Sequence, residues 1–174
     1  SKLDSNHEQL TQSLAQFHQL NAREQTHVLL QLIDNGHYDF KETIHYLLSH
    51  STFENNIVSL MIEYLRFAQS ESIVTVTKYG TTVNIIPKEL SGLEHTTLKS
   101  IILPKVIENL EDGAIHIVDE ASHIMNNHSI LLYPLNIESL FPIEDWIVAY
   151  DVYFKSMLGI DDNVVNQDVL SYIY

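Results

Sequence analysis

Residues 114–135 read AIHIVDEASHIMNNHSILLYPL. Their reading decides whether the second half of the chain contains sheet. The two ends, AIHIV (114–118) and SILLYPL (129–135), are rich in β-branched and large apolar residues and are predicted to be two short strands. In a strand, Ile115 and Ile117 share a face with Asp119, while His116 shares the other with Val118 and Glu120. His123 and His128 then follow in a loop. Three histidines with an aspartate and a glutamate in so short a stretch raise the question of a metal site. A metal needs three or four donors converging on one small sphere, and no spacing such as His-Glu-x-x-His forces that here. The expectation is a solvated acidic loop, with no metal and no cofactor. His116, His123 and His128 are the secondary candidates for ligands.

Downstream, FPIEDWIVAYDVYFKSMLG (141–159) carries β-formers but repeats at helical spacing through Ile143, Trp146, Ile147, Tyr150, Phe154 and Leu158. Pro142 sits at the first turn, and Glu144 and Asp145 suit the positive helix end. Asp151 and Lys155 are placed to pair at i,i+4, and Gly159 ends the helix. A last short helix over about 164–172 carries Val165 and Leu170, with Ile173 just beyond it. Upstream, Pro104 is predicted to start a short helix with Val106, Ile107 and Leu110 inward and Gly113 past its end.

The first 70 residues read as about four helices. Leu10, Leu14 and Phe17 mark one apolar stripe, and Asn21 with Glu24 forms a capping box ahead of Val28, Leu29, Leu32 and Ile33. DNGHYD (34–39) breaks the chain, with Gly36 as the helix stop. Asp39 then caps a third helix through Phe40, Ile44, Leu47 and Leu48, and Ser51 or Thr52 begins a fourth. That fourth helix, about 53–69, is apolar around most of its circumference, with Ser59, Glu63 and Arg66 as its polar stripe. Such a helix packs on several sides, so Met61 and Leu65 are predicted to be buried, as is Trp146. A hairpin follows, SIVTVT (72–77) and TTVNIIP (81–87), turning at KYG. The fold class is α+β: a helical part over 1–70, then an α+β part over 71–174 made of the hairpin and a small mixed α/β segment, the two forming one unit.

Glu-x-x-His occurs at Glu24/His27, Glu42/His45 and Glu120/His123, a pattern used by di-iron bundles when the ligands point inward. Helical spacing places the first two pairs away from their apolar stripes, facing water. No glycine-rich phosphate loop or Gly-x-Ser-x-Gly elbow is present, and with no cysteine there is no thiolate chemistry. An enzyme is therefore the last of the readings.

Charge points to a partner. The net charge is −14. Residues 106–174 hold twelve acids and one base, Lys155, while 78–105 is the only part with a basic excess. Solubility would be served equally by mixed charges. Such a chain repels nucleic-acid phosphates and anionic membranes and attracts a basic protein. The expected contacts are Glu108, Glu111, Asp112, Asp119, Glu120, Asp161 and Asp162, with Tyr150, Tyr153, Tyr172 and Tyr174 as possible aromatic anchors. No run approaches the ~20 apolar residues of a membrane span, and a cytoplasmic location is the expectation.

Three function readings follow. The first is a non-enzymatic binding protein of regulatory, inhibitor or immunity type, docking a basic partner. The second rests on element order: helices at 22–35, 39–50 and 53–69 and a hairpin at 72–87 follow the order of a winged-helix regulator. Residues 22–90 hold five bases against eight acids, which favours protein contacts over DNA. The third is a metal-dependent enzyme built on the cluster at 116–128.

Overall fold

The computed structural model describes residues 2–159 and 166–174. It divides into two units, Ser1–Leu90 and Ser91–Tyr174. The class is α+β: helices dominate, and the sheet is a single antiparallel hairpin among the described residues.

In the first unit, helices α1 (Lys2–Ala15), α2 (Ala22–Asp34), α3 (Lys41–His50) and α4 (Asn55–Phe67) precede strands β1 (Val74–Lys78) and β2 (Thr81–Ile85). The capping box at Asn21 forms as its spacing predicts, with Glu24 N–H donating to Asn21 Oδ1 and Asn21 N–H to Glu24 Oε1. The end of α2 closes in a Schellman arrangement. Gly36, at φ +67°, donates its N–H to Ile33 O, and His37 N–H reaches back to Leu32 O. Asp39 does not cap α3 directly; a turn of 3₁₀ helix, Tyr38–Phe40, comes first. Helix α4 starts at Asn55, with Glu54 rather than Ser51 or Thr52 at the N-cap position.

Helix α4 is the centre of this unit. Ile57, Met61, Ile62, Tyr64 and Leu65 are all fully buried. Its polar stripe is buried as well: Ser59 is 0% exposed and Glu63 6%. The reason is the hairpin. Strand β1 alternates, with Val74, Val76 and Lys78 facing inward. Lys78, 1% exposed, donates to Asn55 O at 2.9 Å and to Ser59 Oγ. Arg66 bonds Glu63 in turn. The two-residue turn Tyr79–Gly80 has φ > 0 at both positions, as a tight hairpin of native twist requires. The hairpin therefore packs with the N-terminal helices, and Lys88 N–H donates to Ser70 O to hold the return of the chain.

In the second unit, α5 (Leu103–Glu111) opens from a π-helical turn, Leu98–Ile102, with Pro104 in its first turn as predicted. Next come α6 (Val118–Leu132), α7 (Ile137–Leu140), α8 (Ile143–Met157) and α9 (Gln167–Leu170). The two strands expected at 114–118 and 129–135 are not there. Residues Ile115–Ile117 form a 3₁₀ turn, and 118–132 is one helix burying Ala121, Met125, Ser129 and Leu132 along one stripe. Helix α8 matches its prediction: Trp146, Tyr150 and Phe154 are buried, Trp146 Nε1–H donates to Ile137 O at 3.0 Å, and Asp151 pairs with Lys155 at 2.8 Å. Of the predicted last helix, Val165 lies outside the described residues, while Leu170 and Ile173 are buried.

Leu65→Ala should destabilise the fold by about 2–5 kcal/mol, because a fully buried leucine leaves both lost transfer energy and a cavity. Urea denaturation measures it, and a loss under about 1 kcal/mol would place the helix at the periphery. Burial also lowers the Lys78 ammonium from its ordinary value of 10.5 to about 7. The folded pKa lies below the unfolded one, so the unfolded chain binds the extra proton between these values. Stability should therefore rise from pH 7 toward 10.5, by an amount on the order of 3–5 kcal/mol. Lys78→Met should flatten that rise without unfolding the protein, since Ser59 Oγ already donates to Asn55 O. An equal slope in both proteins would refute the assignment.

Candidate functional site

The acidic residues expected to face a partner gather at the corner joining α5 to α6. Glu108 and Glu111 lie in the last turn of α5, Asp112 follows it, and Asp119 and Glu120 lie in the first turn of α6. All five are exposed. Asp161 and Asp162 lie outside the described residues. Local helix chemistry accounts for only part of this set. Asp119 and Glu120 are well placed at the positive end of α6, whereas Glu108, Glu111 and Asp112 crowd the negative end of α5, where each is disfavoured by about 0.3–1 kcal/mol. No basic residue stands in that last turn. Lys105 approaches Glu108 at 3.7 Å, an exposed pair that contributes little. Between the two acidic ends, on the connecting turn, Ile115 is 71% exposed. The turn thus presents an exposed apolar side chain between two acidic helix ends.

The tyrosines separate. Tyr150 is fully buried, with its hydroxyl 3.0 Å from His128 Nδ1. Tyr153 packs edge-on against Phe154 and Tyr174, and Tyr172 against Trp146 and Phe141. Tyr174 is the exposed member.

The histidines of 116–128 do not meet. His116 is exposed on the turn before α6, and His123 is exposed on the helix. His128 is half-buried against Tyr150, and burial lowers its pKa. His123 and His128 are five residues apart, which turns them about 140° from each other around the helix. The Glu-x-x-His pairs resolve similarly. Glu24 serves the capping box, His27 and Glu42 are exposed, and His45 is half-buried with Nε2 2.6 Å from Ser70 Oγ. Burial lowers the His45 pKa.

A different group does converge. Among the described residues, one ring nitrogen each of His7 and His37 and one carboxylate oxygen of Asp39 lie within 4.8 Å of one another. His7 Nε2 is 2.6 Å from Asp39 Oδ2, and the His7 ring stacks on Phe40 with centroids 4.8 Å apart. The His37 ring meets His7 edge-on, and its Nε2 is buried with no hydrogen-bond partner. Desolvation is the largest single influence on Asp39 and would raise its pKa, but the His7 hydrogen bond, a backbone hydrogen bond and the charges of His7 and His37 together outweigh it and hold the carboxyl below its ordinary value. Sequence reading singled out neither His7 nor His37. The only local signal is His-x-Asp in the DNGHYD turn; His7 stands thirty residues away.

No protein-family description matches the chain, and neither a curated protein nor a solved structure gives a match. No helix among the described residues is long and apolar enough to cross a membrane.

Proposed function

We propose that the chain is a non-enzymatic, cytoplasmic binding protein of regulatory, inhibitor or immunity type, and that its α5–α6 corner docks the basic face of a partner protein. One observation carries this reading. Glu108, Glu111 and Asp112 are held at a helix end that opposes their charge, and the short connection from them to Asp119 and Glu120 carries an exposed isoleucine. Charge placed against local stability is explained by a complementary surface. Carboxylates on the rim speed encounter and set orientation, while a central apolar side chain supplies an anchor.

The winged-helix order of elements is present in α2, α3, α4 and the hairpin. The cations of its third helix and hairpin are engaged inside the unit, Arg66 with Glu63 and Lys78 beneath the hairpin. This supports protein contacts over DNA reading. A duplex selected from random sequence should bind no more tightly than non-specific DNA at physiological salt. Nanomolar specific binding lost in Arg66→Ala would overturn that expectation.

The docking reading is tested by capturing the partner from a source-cell extract at low salt and following association kinetics with the purified pair. Changing Glu108, Glu111, Asp112, Asp119 and Glu120 to their amides should slow association about tenfold or more at low salt and flatten its salt dependence. Ile115→Ala should act mainly by speeding dissociation. An unchanged association rate with unchanged salt dependence would return the acids to a solvated surface.

A further inference from the structure

We propose that His7, His37 and Asp39 form a binding site for a divalent transition cation of the zinc class. The site is separate from the α5–α6 corner and does not rest on the docking reading.

The donors fit in number and kind. Two imidazoles and one carboxylate are the mixed nitrogen and oxygen set that zinc, cobalt or nickel takes, whereas calcium and magnesium prefer oxygen donors throughout. Tetrahedral bonds of about 2.0–2.1 Å set neighbouring ligand atoms about 3.3–3.4 Å apart. The three ligand atoms already lie within 4.8 Å of one another, and the His7–Asp39 contact of 2.6 Å has only to open slightly. A hydrogen-bonded histidine–carboxylate contact is what two metal ligands form when a proton takes the place of the ion. Three protein ligands leave a fourth position for water or for a donor from another molecule.

An ordinary surface ion pair accounts for His7 and Asp39. It does not account for His37, a member of the same cluster whose Nε2 is buried without a hydrogen-bond partner. A buried unpaired nitrogen is costly, and a cation bound through Nε2 would satisfy it.

The loop that carries two of the ligands is held from behind. Gly36 in its left-handed conformation stops α2 and turns His37 back over the helix end. Tyr64, fully buried on α4, donates its hydroxyl hydrogen to His37 O at 2.6 Å, and Phe40 N–H donates to Tyr64 Oη at 3.1 Å. One side chain therefore fixes the backbone on both sides of Asp39. His7 arrives from α1, its ring set against Phe40. Tyr64 is a positioning residue for this site: it holds the ligand loop and touches none of the donor atoms.

The test uses the untagged full chain, stripped with chelator and titrated with cobalt(II) by visible absorption. The expected result is one equivalent bound with an intense low-symmetry spectrum, displaced by zinc(II) and unaffected by excess magnesium or calcium. His7→Gln, His37→Gln and Asp39→Asn should each weaken cobalt binding by more than about a hundredfold, and Tyr64→Phe by about 10–100-fold with the spectrum retained. The combined change of His116, His123 and His128 to alanine should leave the stoichiometry intact. His7 lies on a partly exposed helix face, so His7→Gln should keep the wild-type circular dichroism and give a reading even if an interior variant unfolds. No cobalt spectrum in the wild-type protein would overturn the proposal. So would a spectrum that survives His7→Gln unchanged or is lost in the triple alanine variant.

Discussion

Helix α4 buries most of its circumference, polar side included, and the first unit is arranged around satisfying it. Its apolar sides are met by α2 and α3, an ordinary consequence of hydrophobic burial. Its polar side is the harder problem. Ser59, Glu63 and the carbonyl of Asn55 would each be costly if buried unpaired. Ser59 Oγ already donates to Asn55 O and Arg66 reaches Glu63 from the helix itself, while the hairpin covers this side and adds an ammonium group that donates to both Ser59 and Asn55. Desolvating Lys78 is the electrostatic cost of covering that side, which is why burial lowers its pKa so far. The same helix also supplies Tyr64, whose hydroxyl is spent on the backbone of 37–40. Packing of the core and placement of the His37–Asp39 loop are thus two consequences of one buried helix.

The α5–α6 corner shows the opposite economy. Nothing there is buried to hold the charges, and the helix end works against three of them. Exposed acids repel one another only weakly through solvent, so the fold tolerates the arrangement without requiring it. A buried group is explained by its neighbours within the chain. An exposed group set against its local field has no such internal explanation, and its rationale has to lie in what approaches from outside.

Elements whose signals are local were legible in the sequence. The Asn21–Glu24 capping box, the Gly36 stop, the hairpin and the 143–157 helix are each decided by residues within a turn or two. The stretch 114–135 misled because its ends are rich in β-branched and large apolar residues, while the helical stripe runs through Ala121, Met125, Ser129 and Leu132. A small residue and a serine on the inward face give little apolar periodicity, and helix–helix packing decides where propensity does not. The exposed placement of Glu108, Glu111, Asp112, Asp119 and Glu120 could be expected from composition; their position at the two helix ends flanking one turn could not, because it depends on 115–117 forming a 3₁₀ turn rather than a strand. Lys78 was equally hidden. Strand alternation puts it inward with Val74 and Val76, yet a lysine at a hairpin turn is ordinarily read as solvated.

The histidines show why density along the chain is a poor guide to convergence in space. Three of them within 116–128 are dispersed by a turn and a helix, because helical geometry sends residues five apart to different faces. His7 and His37 are thirty positions apart and look unremarkable in the sequence, yet their rings touch. Convergence here comes from three separate causes: a glycine that reverses the chain after α2, a buried tyrosine that fixes the reversed segment, and an aromatic ring, Phe40, against which α1 lays His7. Each cause is a packing or backbone requirement in its own right. Ligand-like geometry can therefore arise where several structural constraints intersect, and the unpaired nitrogen of His37 distinguishes this intersection from a contact that the fold alone would account for.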